Sequence, residues 1–364
     1  MNVMTETAVE KLNGTVPRQQ EPPPQKVPKE VTCQFLEPED YPEWDDLVDR
    51  SPHGTIFHYS WWLTTTAFEF KILAVRNERG AIVGGMPIPF ERKAGFTLFH
   101  SPTLTPYLGP VFDLPIADSI CDRLHFMRTY GELIARSIKS FDSLRYVVGA
   151  CAPDLQGFLW AGYSVKLAYT FRFRATQSLA QISAGMTRTH VQKLTKAQRL
   201  NLKVTRDEGL EDLIELNVKT FEKQGLEPAC SADFLRRLWA VAHSQERARL
   251  YVARTEDDKP VAALLTVYDN RTTYQIVSGV NPEFRDIPGG YLVLWTALQD
   301  TNLAGRDFDF EGSGLRGVEC FYRRWGATAM PIWRLEKAGT WLGALVQCVL
   351  DRREIAAFDR GAKL

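Results

Sequence analysis

The sequence predicts an α/β protein built from two similar halves, each a mixed sheet flanked by helices. Three observations predict it. A run of strand and helix patterns is followed by a second run in much the same order. The chain has 364 residues, 45% of them apolar and 24% charged, enough for two domains of ordinary size with buried cores. Between the runs lies a segment, Leu155 to Arg206, with no Asp or Glu at all.

The order of elements supports this division. Residues 1–30 are polar and Pro-rich, and consecutive prolines remove backbone donors, so a disordered tail is expected there. The first half, 31–175, opens with the apolar run Val31–Leu36 and a helix around Tyr41–Asp49. Ile72–Val75 and Ala81–Pro87 read as strands joined by a polar hairpin connection, and Phe96–Phe99 and Gly109–Phe112 as shorter ones. A helix fits Ala117–Lys139, followed by strands at Leu144–Val148 and Thr170–Arg174. Residues 176–201 form a basic linker helix, with Thr187 as its cap and Lys193 and Lys196 on adjacent turns. The second half, 202–337, repeats the pattern. A strand at Leu202–Thr205 leads into helices from Leu210 to Lys223 and from Ala232 to His243. Strands follow at Leu250–Ala253, Val261–Tyr268 and Thr273–Val280. A helix at Gly290–Leu303, a strand at Asp307–Phe310, a helix at Leu315–Trp325 and a closing strand at Pro331–Leu335 complete it. Residues 338–364 are expected to form a C-terminal helix.

Composition and motifs exclude several classes of function. Lys plus Arg and Asp plus Glu both number 44, so net charge argues neither for nor against a polyanionic partner. The six cysteines are scattered without metal-ligand spacing, which predicts reduced thiols and no metal site. No long apolar run predicts a membrane span, and a cytoplasmic location is expected. No H-E-x-x-H, G-x-S-x-G or phosphate-binding G-x-x-x-x-G-K pattern occurs. The basic segment is open to two readings: a solvated linker face, or counter-charge for a phosphate-bearing ligand held between the halves.

Chemistry concentrates in Phe308-Asp309-Phe310-Glu311-Gly312-Ser313 and Phe321-Tyr322-Arg323-Arg324-Trp325-Gly326-Ala327. The first is a strand ending in an acid and a Gly-Ser turn, the second a helix stopped by Gly326. Such a strand end places Glu311 where functional groups of open α/β sheets stand. These stretches, with Thr55–Trp62 and Thr105-Pro106-Tyr107-Leu108-Gly109-Pro110 in the first half, resemble the FemAB-like branch of the GNAT (Gcn5-related N-acetyltransferase) superfamily. The resemblance covers the chain from about Val31 to Lys337.

The resemblance implies tandem GNAT-like halves and an acyltransferase with an acyl-CoA, preferably acetyl-CoA, as co-substrate and no resident cofactor. The loop Arg285-Asp286-Ile287-Pro288-Gly289-Gly290 stands where GNAT proteins hold the CoA pyrophosphate, though Pro288 replaces the usual first glycine. Arg285, Gly289 and Gly290 are therefore expected at the phosphates, and backbone N–H groups of Val277–Val280, with Val277 and Gly279 chosen, at the thioester. Phe321-Tyr322 before Gly326 resembles the acyl-CoA-dependent signature in which the tyrosine protonates the leaving thiolate. Relatives using aminoacyl-tRNA often have Lys at the position of Tyr322. Glu311 would take the proton of the attacking amine; Tyr322 as helix packing is the alternative. Trp61, Tyr107 and Ser313 are candidates for an acceptor pocket, the two aromatics equally for core packing. The acceptor would be a small molecule or a cell-envelope precursor. The alternatives are an aminoacyl-tRNA-dependent transferase and a non-catalytic GNAT-like binding module.

Overall fold

The structure, a computed structural model, describes residues 31–114, 119–223, 225–312 and 316–360, with side chains to residue 352. The expected tail and Ser313 lie outside the described residues.

The first half contains β1 (Thr32–Phe35), α1 (Tyr41–Arg50), α2 (Ser60–Thr66), β2 (Glu69–Arg76), β3 (Ile82–Lys93), β4 (Phe96–His100), β5 (Val111–Phe112), α3 (Ile120–Ser137), β6 (Ser143–Val148), α4 (Gln156–Trp160) and β7 (Ser164–Phe173). Two helices connect the halves, α5 (Leu179–Gly185) and α6 (Arg188–Arg199). The second half contains β8 (Lys203–Arg206), α7 (Leu210–Glu222), α8 (Ala232–Ser244), β9 (Ala248–Arg254), β10 (Pro260–Tyr268), β11 (Thr272–Val280), α9 (Gly289–Leu303), β12 (Asp307–Asp309), α10 (Arg316–Arg324) and β13 (Thr328–Ala338), and α11 (Trp341–Arg360) follows.

Local chemistry accounts for many of the boundaries. Ser119, Ser178 and Ser231 accept backbone N–H bonds at the starts of α3, α5 and α8. Gly209, at φ +87°, turns the chain into α7 through a conformation that other residues rarely adopt. In α1, Trp44, Leu47 and Val48 recur at helical spacing and are the buried face. Thr187 stands at the N-cap of α6 as expected, but its backbone N–H is held by the Arg324 carbonyl and its side chain makes no cap bond.

The two sheets are fused edge to edge. Strand order is β1-β2-β3-β4-β6-β13-β7-β12-β11-β10-β9-β8, with β5 beside β3. The last strand, β13, lies antiparallel between β6 and β7, so Trp333 sits opposite both Val148 and Leu167. In turn β7 pairs with β12, Phe173 opposite Phe308. Each half thus borrows a strand from the other. Sequence patterning shows that a segment is extended but not which strand lies beside it.

Side chains also join the halves. Phe57 of the first half meets Tyr274 of β11 at 4.8 Å between ring centres, and Tyr107 meets the same ring at 6.1 Å. Asp269, in the β10–β11 turn, accepts bonds from the Ile56 N–H and the Tyr274 hydroxyl. Burial of such rings is worth roughly 2–3 kcal/mol each.

Candidate active site

Strand β11 has two unequal edges. Along one it pairs with β10 over its whole length; along the other it pairs with β12 only through Thr272, Thr273 and Tyr274. β12 ends at Asp309, and Phe310 gives its N–H to Phe171 of β7. Glu311 and Gly312 follow at φ +63° and +70° and turn the chain away. The edge of β11 past Tyr274 is left without a strand, and a register shift in the β10–β11 pairing leaves Ile276 unopposed. A cavity of about 490 Å³ occupies the gap.

The alternation of β11 decides which amides face this cavity. The Asn281 N–H goes to Val261 of β10 at 2.8 Å, so odd-numbered positions point to β10. The amides of Val277 and Gly279 are therefore turned to β10, and that of Ser278 to the open edge. Neighbouring contacts agree: the Ser278 carbonyl accepts from Asn217 Nδ2 at 2.9 Å, and the Val280 N–H donates to Thr220 Oγ1 at 3.0 Å. This corrects the expectation for Val277 and Gly279. Glycine is required at 279 because a Cβ would sit 2.5 Å from the Asn217 backbone nitrogen of α7.

The start of α9 forms one end of the cavity. Gly290 lines it, as do Arg285 and Pro288. Gly289 points the other way: its N–H bonds to the Ile287 carbonyl, and a Cβ there would meet Val261 at 2.7 Å. Gly289 thus serves the close packing of α9 on β10, and Gly290 is the glycine exposed to a ligand. The basic helix contributes Lys193 and Lys196 to the same walls. Lys196 Nζ donates to the Asp286 carbonyl at 2.7 Å, and Lys193 Nζ lies 5.4 Å from the Tyr291 ring centre. With Lys223 and Arg285, four cations face one carboxylate, Asp286, among the lining residues. A helix N-terminus ringed by cations favours anions.

Near the surface, three other cations of the acid-free segment find carboxylates. Lys166 reaches Glu336, Arg174 reaches Asp307 and Arg206 reaches Asp300. Lys193 and Lys196 are the pair turned to the cavity.

Glu311 and Tyr322 belong to a buried cluster around Asp309. Arg172 and Asp309, 1% and 0% exposed, form an ion pair at 2.6 Å between Nε and Oδ2. The other Asp309 oxygen accepts from the Thr170 hydroxyl, the Tyr107 hydroxyl at 3.3 Å and the Glu311 N–H at 2.7 Å. Tyr107 is thus a core aromatic with a polar handle on this cluster. Glu311 Oε1 is buried without a hydrogen-bond partner among the described residues. Burial, with Asp309 beside it, raises the pKa of the Glu311 carboxyl well above its ordinary value.

Tyr322 is 9% exposed and stacks on Phe310 at 4.5 Å, while its neighbour Phe321 faces the cavity. Burial, then Glu311 and Asp309, raise its pKa, so it remains a phenol. Trp61 does not line the cavity; it is half-buried on α2 against Tyr59 and Trp62. Asp309, Arg172 and Ser278 were not singled out from sequence. Asp309 left a signal, an acid between two phenylalanines at alternating positions, which demands a buried partner.

A family profile described as "Acetyltransferase (GNAT) domain" matches residues 185–323. Residues 185–323 thus carry a GNAT domain. Solved structures that share the fold include the following three. FemX is 14% identical, with TM-score 0.65, covering 87% of this chain and 99% of its own. A tandem GNAT protein from the clavulanic acid biosynthesis pathway is 11% identical, with TM-score 0.50, covering 85% and 99%. The C-terminal domain of a putative lysylphosphatidylglycerol synthetase from Agrobacterium fabrum is 10% identical, with TM-score 0.51, covering 85% and 94%. No curated protein matches the chain. The chain thus has the tandem fold of these structures, and its matched domain is of the acetyltransferase type. No helix among the described residues is long and apolar enough to cross a membrane, and those residues hold no His, Cys, Asp and Glu group suited to a metal.

Proposed function

We propose that this GNAT protein moves an acyl group, acetyl in the first instance, from a CoA thioester to an amine by direct attack. The observation that carries the reading is the cationic cavity joining the open edge of β11 to the start of α9. Lys193, Lys196 and Arg285 hold the donor phosphates, with Gly290 giving them close approach to the helix. The Ser278 N–H polarises the thioester carbonyl. The amine attacks the carbonyl carbon, the C–N bond forms and the C–S bond breaks. Tyr322 gives its proton to the departing sulfur, and the proton shed by the new amide nitrogen returns to the phenolate. The acceptor is a small amine or a cell-envelope precursor, and a CoA donor sets the reaction in the cytoplasm.

A second reading has aminoacyl-tRNA as donor. It is favoured by the fold shared with a putative lysylphosphatidylglycerol synthetase, a protein named for a product that carries an aminoacyl group, and by the lysines of α6. Calorimetry separates the two. Acetyl-CoA should bind the full chain, and the double change Lys193→Gln, Lys196→Gln should weaken it by about tenfold, as the loss of two charge-assisted phosphate contacts implies. Absence of CoA binding beside tight binding of aminoacyl-tRNA would transfer the function to the second reading.

A further inference from the structure

We propose that a second pocket, at the far end of α9 from the donor cavity, binds a small molecule through an oxyanion group, a phosphate or a carboxylate. The pocket encloses about 470 Å³, more than inorganic phosphate needs and suited to a small organic anion. Its walls come from β9, β10 and β11, and its rim from the last turn of α9. The fifteen residues of α9 place it about 22 Å from the start of that helix, so it is separate from the donor site.

Charge and an unused hydroxyl point to the ligand. Three arginines line the pocket. Arg206 is held by both oxygens of Asp300, at 2.8 and 3.0 Å, and Arg249 pairs with Asp207. Arg306 has no carboxylate within ion-pair distance among the described residues. Its guanidinium instead lies over the Tyr268 ring, 4.1 Å from the ring centre, and its N–H groups remain for an oxyanion. Burial lowers its pKa, with Arg247 and Arg249 acting in the same direction and Tyr268 and Asp269 against it.

Thr273 lines the same pocket, is 3% exposed, and its hydroxyl has no partner among the described residues. A buried hydroxyl left unpaired is costly unless something bonds to it, and an oxyanion accepts from both Thr273 and Arg306. Three carbonyls of the helix end are already engaged. Those of Asp300, Thr301 and Asn302 accept the N–H groups of Ala304, Arg306 and Gly305.

The test titrates the full chain with inorganic phosphate and with succinate by calorimetry at low ionic strength. At least one probe should bind saturably, and the tighter of the two tells phosphate from carboxylate. Arg306→Gln should weaken that binding by about tenfold or more, and Thr273→Val by about threefold or more. The double change Lys193→Gln, Lys196→Gln, which alters only the donor cavity, should leave it within about twofold. No saturable binding up to about 20 mM, a level far weaker than built anion sites, would overturn the proposal. So would binding that survives Arg306→Gln or vanishes in the lysine double variant. Should Arg306→Gln fail to fold, Arg306→Lys, which keeps charge without the fork, takes its place, and unchanged affinity in it and in Thr273→Val overturns the proposal.

Discussion

Tyr322 and Glu311 show how burial assigns roles to single residues. Burial, with Asp309 adding to it, raises the pKa of both. A phenol that stays protonated suits the donor part. Replacement of Tyr322 by Phe keeps the ring on Phe310 and deletes only the hydroxyl, so kcat should fall by about 10²–10⁴ while CoA affinity is unchanged. Wild-type turnover where chemistry limits the rate would make Tyr322 a packing residue. Two histidines carry a different consequence. Burial lowers the pKa of His53 to about 4 and of His58 to about 3, both below the ordinary 6.5. Their neutral forms are favoured by folding, so stability is full above about 6.5 and is lost as pH falls toward their folded values. Asp45, raised to about 6, and Glu311 act with the opposite sign. Urea titrations of the wild type and of His58→Gln isolate the histidine share. Between pH 6.5 and 4.5 the wild type should lose on the order of 2 kcal/mol more than the variant.

At the scale of elements, the site depends on how close α7 and α9 approach the sheet. Gly279 lets α7 lie against β11, with Asn217 and Thr220 bonded to the strand edge. Gly289 does the same for α9 on β10. Gly279→Ala should displace α7 and destabilise the protein by roughly 2 kcal/mol or more, because the clash is with backbone and cannot be relieved by a rotamer change. The urea midpoint reads this directly, and an unchanged midpoint would refute the packing argument. The roles of these glycines were not legible in sequence. Gly289 and Gly290 are adjacent and chemically alike there, and only the direction of each missing Cβ tells the packing glycine from the ligand glycine.

For the whole molecule, the exchange of β7 and β13 makes the halves mutually dependent. Removing the second half would take β13 from between β6 and β7 and leave both with unpaired edges. Calorimetric unfolding should therefore show one transition, with van't Hoff and calorimetric enthalpies equal. Two resolved transitions would show that the halves fold separately despite the shared sheet. The tandem pattern was visible in sequence because hydrophobic periodicity is local. The exchange was not, because a strand's neighbours are chosen by contacts more than 150 residues apart, such as Trp333 with Val148.

By itself the sequence determined the α/β class, the repeated order of elements, the helix start at Leu210 and the stretches that hold the chemistry. Each rests on local physics: the period of apolar residues, the φ freedom of glycine, or a cap. Only the tertiary structure decided that Lys193 and Lys196 face a cavity while Arg172 is buried against Asp309. It alone turned the Ser278 amide, rather than those of Val277 and Gly279, to the open edge. Those choices depend on which strands pair and where pairing stops, and on the desolvation each charge meets once the sheet has formed.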